Sequence, residues 1–304
     1  MARGRIHYFS PRIRLATLLI MKINFFCFSV MLLLAGCHSL SKSKISKKDI
    51  SRDIQILTTE GTIVLRLYDD TPLSRNNFLS LVKQDMYDSI LFHRVIENFM
   101  VQAGERVNED AFQRKKEIRG FEDLVSAEIN STHFHKRGAV GAARFGDNVN
   151  PEQKGSFIQF YIVQGNTYTD STLDIAEKRI NKSLAYNHII NDSVNKSTFE
   201  HYQDLLENRT PENEQARNAL KIKLDSLAGI EEQRMTPYLF PEAHREVYKT
   251  KGGAAHLDQS YTVFGEVISG MDVVDKIAAA QTNKEDRPIN DILILSSTLI
   301  KRQE

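Results

Sequence analysis

Arg94 stands in an apolar run, Leu91-Phe92-His93-Arg94-Val95-Ile96. A lone arginine on a strand usually meets water or an ion-pair partner; one set among apolar residues can instead present a fixed cation to a neighbour. A guanidinium stays protonated through the neutral range, so its work does not depend on proton transfer. It suits charge-assisted hydrogen bonding to a group whose electron distribution changes. Gln102 follows eight residues on, and on one regular strand an even spacing puts both side chains on the same face. Other chemistry is thinly supplied. Cys27 and Cys37 are the only cysteines in 304 residues and both lie near the N-terminus, which leaves the body without a thiolate nucleophile or a cysteine metal site. His133 and His135 alternate along an extended stretch with no acidic or cysteine companion in that stretch, so no metal is expected. His93 reads as a structural histidine.

The elements that must position Arg94 read mainly as strands. Ile54–Leu57 and Thr62–Tyr68 flank Thr59-Glu60-Gly61 as a β-hairpin. Thr71-Pro72 opens a helix whose buried face carries Phe78, Leu81 and Val82. Leu91–Gln102 reads as one strand-like run. Ala139–Arg144, Gln159–Val163, Tyr261–Val267 and Ile292–Ile300 read as further strands, and Met271–Ala278 as a second amphipathic helix. Many short strands with two helices predict a barrel or sandwich. Residues 166–251 differ in character: Leu173, Ala176, Ile180, Leu184 and Ala216, Leu220, Leu224, Leu227 recur at helical spacing, with Phe199, Tyr202, Leu205 and Leu206 between them. Three or four helices inserted into a β protein are expected there, either packed as decoration or serving as a lid or client-binding arm.

The run Phe92-His93-Arg94 through Phe99-Met100, Gln102 and Gly104 closely resembles the signature of the cyclophilins. Gly61–Tyr68, Asn77-Phe78-Leu79 and Tyr87-Asp88 resemble that family's N-terminal half. Gly155-Ser156 with Gln159-Phe160-Tyr161-Ile162, then Leu257-Asp258, Tyr261–Gly265 and Gly270-Met271, resemble the rest. The ordered series, covering about Asp53 to Ile300 outside the insertion, carries the resemblance. It implies a closed eight-stranded antiparallel barrel capped by two helices, built from residues 51–165 and 252–304. It implies peptidyl-prolyl cis–trans isomerisation of proline-containing polypeptide clients, without a cofactor.

The resemblance also assigns residues. Arg94 and Gln102 are the expected catalytic pair. Phe99, Met100, Tyr161 and Leu257 would wall the slot for the proline ring, with Tyr261 at its rim; since Phe99 and Met100 have opposite parity, the Leu91–Gln102 run would bend or bulge between Glu97 and Phe99. Ala143, the backbone near Arg144, and Gln159 would bind the substrate chain beside it. Besides the helical insertion, the largest departure, the chain departs from the family pattern at four places. His256 stands where a tryptophan is frequent, Arg144 where asparagine is, and Tyr161 where phenylalanine is; Phe157-Ile158 lengthens one loop. A catalytically weak barrel used as a binding module or chaperone is the competing expectation.

The N-terminus carries a targeting signal. Lys22, the apolar run Ile23–Leu34 and Leu34-Ala35-Gly36-Cys37 resemble a lipoprotein signal cut before a lipidated Cys37, with Met21 as an alternative start. Residues 1–37 are then a signal peptide and 38–50, rich in Ser and Lys, a flexible tether. A transmembrane anchor over Leu15–Gly36, which carries a single Lys, is the competing expectation; in either case the body is expected to be exported and membrane-anchored, on the periplasmic face, with the outer membrane favoured because His38 is not an aspartate. A net charge of +1 gives no electrostatic footprint for nucleic acid.

Overall fold

The computed structural model describes residues 44–119 and 122–302. The signal, Cys37 and the first part of the expected tether lie outside the described residues. In chain order the helices are α1 (Lys47–Ile50), α2 (Pro72–Val82), α3 (Glu109–Arg119), α4 (Asp170–Asn191), α5 (Lys196–Glu207), α6 (Glu214–Arg234), α7 (Glu242–Thr250) and α8 (Met271–Ala278). The strands are β1 (Arg52–Thr58), β2 (Gly61–Leu67), β3 (Ile90–Ile96), β4 (Met100–Arg106), β5 (Leu124–Val125), β6 (Ala139–Ala142), β7 (Gly155–Ser156), β8 (Phe160–Val163), β9 (Val263–Ser269) and β10 (Leu293–Lys301).

Eight strands close an antiparallel barrel in the order β1-β10-β3-β4-β8-β6-β9-β2, and β5 pairs with β7 beside it. Closure leaves no unpaired sheet edge. Ile54, Ile56, Ile63, Leu65, Phe92, Val140, Phe160, Ile162 and Ile294 fill the interior. Phe78 and Leu81 of α2 and Val274 and Ile277 of α8 join the same core, so the helices bury their apolar faces on the barrel as their periodicity predicts. Asp53, wholly buried, is held by both forks of Arg66 at 2.9 Å.

The Leu91–Gln102 run is a hairpin rather than one bent strand. Asn98 adopts a left-handed φ of 65° and turns β3 back onto β4. The pairing skips His93, so Phe92 faces Ala103 and Arg94 faces Gln102. That two-against-one bulge adds local twist where the run meets the site.

Four helices fill 170–250. The first half of α4 packs Leu173, Ala176 and Ile180 against Phe240, Tyr248 and Ala255; its second half packs Ile189 and Ile190 against Phe199, Tyr202, Leu224 and Ala228. Arg245 ties α7 to α4 through Asp170, Asp174 and Glu177. The third of these helices begins at Glu214, three residues beyond the Thr210-Pro211 signal, because Asn213 accepts the Thr210 amide and flanks the helix start. Residues 46–50 of the expected tether form a capped turn, Ser46 and Asp49 bonding reciprocally, and Lys83 holds Asp49 at 2.9 Å. Among the described residues no helix is long and apolar enough to cross a membrane.

Candidate active site

A cleft of about 560 Å³ opens on the outside of the barrel, where β3, β4 and β8 meet the loops after β6 and before β9. Arg94, Phe99, Met100, Gln102, Ala143, Arg144, Gln159, Tyr161, Leu257 and Tyr261 all line it. Every residue that the sequence assigns to catalysis or substrate binding thus borders one cavity. Met100, Ala143, Tyr161, Phe99, Leu257 and Tyr261 of its lining belong to an apolar cluster separate from the barrel core, whereas Phe157 and Ile158 at its far side belong to that core. The side chains of the separate cluster wall an opening and do not plug the barrel.

Arg94 is exposed and reaches the cleft from β3. Its Nε lies 3.5 Å from Asp286 Oδ2, a long pairing between half-exposed groups that leaves most of the guanidinium fork unspent. Asp286 also accepts the Val95 amide through its carbonyl at 2.8 Å, so the 281–291 loop is pinned to β3 next to Arg94. Opposite, Gln102 Nε2 donates to Gln159 Oε1 at 3.1 Å and lies 3.3 Å from His93 Nε2. With its amide hydrogens so directed, Gln102 offers its carbonyl oxygen to a ligand. Burial pushes the His93 pKa down, which keeps the ring neutral and able to accept from Gln102.

Tyr161 forms the floor. Its hydroxyl lies 2.8 Å from His135 Nε2, His135 Nδ1 lies 2.6 Å from Asp258 Oδ1, and Tyr248 donates to Asp258 Oδ2 at 2.7 Å. The His135 amide bonds Asp258 Oδ1 as well, at 2.9 Å. All four side chains are buried. With Asp258 accepting from the His135 amide and from Tyr248, the imidazole is oriented with Nδ1 donating to Asp258 and Nε2 accepting from Tyr161. Burial drives the Tyr161 phenol well above its ordinary range, so it stays a donor. Gly141 on β6 makes room for the ring; a Cβ there would overlap it. His133 likewise gains an acid from a distance, Asp70 at 2.6 Å, and stacks on Tyr68 at 3.9 Å. No group of three or more metal-ligating side chains occurs among the described residues.

Arg144 contributes differently from Arg94. Its guanidinium donates to the Ser260 carbonyl at 2.7 Å, the Phe145 carbonyl at 2.8 Å and Asp147 Oδ1 at 2.6 Å, and covers the Tyr261 ring at 4.5 Å. With its side chain only 4% exposed, it braces Tyr261 at the edge of the cleft. His256, in the frequent tryptophan's place, lies 5.2 Å from the Phe99 ring, so an aromatic still flanks that wall. The sequence reading missed the Asp258–His135 pair, whose members lie 123 positions apart, and the Asp147 partner of Arg144, for which the acidic residue three positions on was the available signal.

The family model described as cyclophilin type peptidyl-prolyl cis-trans isomerase matches residues 53–223 and 244–299. The chain belongs to the cyclophilin-type peptidyl-prolyl cis–trans isomerase family. A Staphylococcus epidermidis protein provisionally named a peptidyl-prolyl cis-trans isomerase is 27% identical over 256 residues, 83% of this chain and 95% of that protein. A Streptococcus pyogenes protein provisionally named a bifunctional phosphatase/peptidyl-prolyl cis-trans isomerase is 27% identical over 244 residues; the match takes in 79% of this chain and 37% of that protein's length. A solved Cryptosporidium parvum cyclophilin-type isomerase matches with a TM-score of 0.45 at 15% identity, covering 83% of this chain and 99% of the other.

Proposed function

We propose that this isomerase turns X–Pro bonds in the cleft between Arg94 and Tyr161. Amide resonance gives such bonds a barrier of about 18–20 kcal/mol, and rotation breaks no covalent bond. A catalyst has only to favour the twisted amide over both planar forms. As the bond twists, the prolyl nitrogen loses conjugation and its lone pair becomes an acceptor. Arg94 supplies the donor for it, preorganised at the mouth of an apolar slot. Phe99, Met100, Tyr161 and Leu257 take the ring, and Gln102 and the backbone beside Ala143 and Arg144 hold the flanking chain.

The observation that carries this reading is the register of Arg94 against Gln102 across β3 and β4, at the edge of a separate apolar cluster. A proline-peptide isomerisation assay on residues 38–304 tests it. Turnover of the peptide supports the reading; no acceleration over the uncatalysed rate overturns it.

The clients are exported polypeptides, and the enzyme is held to the envelope by lipid on Cys37, the outer membrane being the favoured site. The Leu34-Ala35-Gly36-Cys37 tetrad after an apolar run supports this. Labelling cells with a radioactive fatty acid tests it: the protein carries label, and Cys37→Ser does not. Equal labelling of both, or of neither, contradicts the anchor.

A further inference from the structure

A second cleft, of about 360 Å³, adjoins the first and shares Arg144, Leu257 and Tyr261 with it. That volume falls within the ~300–1,000 Å³ range of ligand-binding clefts. Its outer wall is Ser183 and Tyr186 of α4, and its floor includes Asp147, Asn148 and Ser260. So one of the four helices between 170 and 250 contributes directly to a cavity that shares three lining residues with the first cleft.

The wall is built, with several bonds across it. Tyr186 donates to Asn148 Oδ1 at 2.7 Å, Asn187 to Asp147 Oδ2 at 3.2 Å and to the Pro151 carbonyl at 2.9 Å, and Asn191 to the same carbonyl at 3.1 Å. From α5, Gln203 donates to the Asn148 carbonyl at 3.0 Å. These bonds fix the 147–151 loop, and Asp147 in turn fixes Arg144 over Tyr261. The charges in the cleft cancel: Arg144 and Asp147 pair with each other at 4% and 12% exposure. The rest of the lining is hydroxyl, amide, aromatic and aliphatic surface with the His256 imidazole, whose pKa burial pushes down, and it favours an uncharged partner.

We propose that this second cleft is an extended subsite that takes an uncharged stretch of client chain continuing from the proline, with α4 as its outer wall. The proposal rests on the isomerase reading above. In this arrangement the helical segment raises the efficiency of long clients over short ones through contacts remote from the reacting bond.

The test compares a four-residue proline peptide with the same peptide lengthened by three neutral residues at each end, using residues 38–304. Lengthening raises kcat/KM about ten-fold in the wild type, the equivalent of about 1.4 kcal/mol. Ser183→Trp, which fills the cleft from its partly open wall, abolishes that gain and leaves the short peptide unaffected. Ser183→Glu provides a second arm that misfolding cannot mimic: it favours lysine-bearing over glutamate-bearing extensions by at least three-fold, and added salt erases the preference. A length gain that survives Ser183→Trp, no length gain at all, or no charge preference in Ser183→Glu overturns the subsite. A wild type inactive on the short peptide defeats the isomerase reading itself.

Discussion

The Tyr161 hydroxyl sits 2.8 Å from His135 Nε2, at one end of a buried chain whose other end is the Tyr248 hydroxyl on Asp258. Tyr161 borders the cleft, while Tyr248 belongs to α7, so the helical segment and the cleft floor share one carboxylate and one imidazole. Tyr161→Phe strands a buried ring nitrogen and is expected to cost about 1–3 kcal/mol. Tyr248→Phe strands a carboxylate oxygen at similar cost. Because both act on the same His–Asp pair, the double variant departs from additivity by at least about 0.5 kcal/mol. Denaturant unfolding of the four proteins measures this; strict additivity would mean that the two ends are independent.

Gly141 is the other support of Tyr161. Gly141→Ala drives a methyl group into a ring already held by His135, and the expected cost is about 1–3 kcal/mol. Freed of its hydroxyl bond, the ring can swing away, so the same substitution costs less in a Tyr161→Phe background. Thermal unfolding of the pair of variants checks the order; an equal or larger cost in that background would show that the hydroxyl does not hold the ring.

His93 sets a pH dependence. Burial lowers its folded-state pKa below the unfolded value of about 6.5, an effect partly offset by Glu105. The unfolded chain therefore binds the proton first, and protonation favours unfolding. The contribution is complete above about pH 6.5 and is lost as pH falls toward the lowered folded value. Protonation also puts an N–H where Gln102 donates. NMR titration of the His93 ring is expected to give a midpoint below 6.5, and His93→Gln to flatten the fall in Tm between pH 7.5 and 5.5. A midpoint above 6.5, or an equally steep fall in the variant, contradicts the assignment.

Much of this was legible in the sequence, and the physical reasons differ by residue. Phe78, Leu81, Val274 and Ile277 announce their helices because a barrel cap buries one face and leaves the 3.6-residue period visible. The β3–β4 hairpin resembles one strand in the sequence because its apolar pattern runs through the turn; Asn98, tolerant of a positive φ, is the sole local clue. Arg94 and Gln102 were still placed on one face, but cross-strand register does this, and even spacing along one strand does not. The α3 helix escaped notice because it is highly charged; Glu109 and Asp110 in its first turn were its only signal. Asp258 gave no hint of His135, since pairing across 123 residues leaves no mark on local sequence.

The most direct measurement concerns Arg94. Its ion pair with Asp286 is long and half exposed, so removing the guanidinium should change stability by less than about 1 kcal/mol. Losing a preorganised donor in such a site costs roughly 10²–10³ in rate. Arg94→Ala is therefore expected to fold with an unchanged Tm and to isomerise a proline peptide at least 100-fold more slowly, at every pH between 6.5 and 9. A folded Arg94→Ala protein that retains wild-type kcat/KM within two-fold would contradict the account.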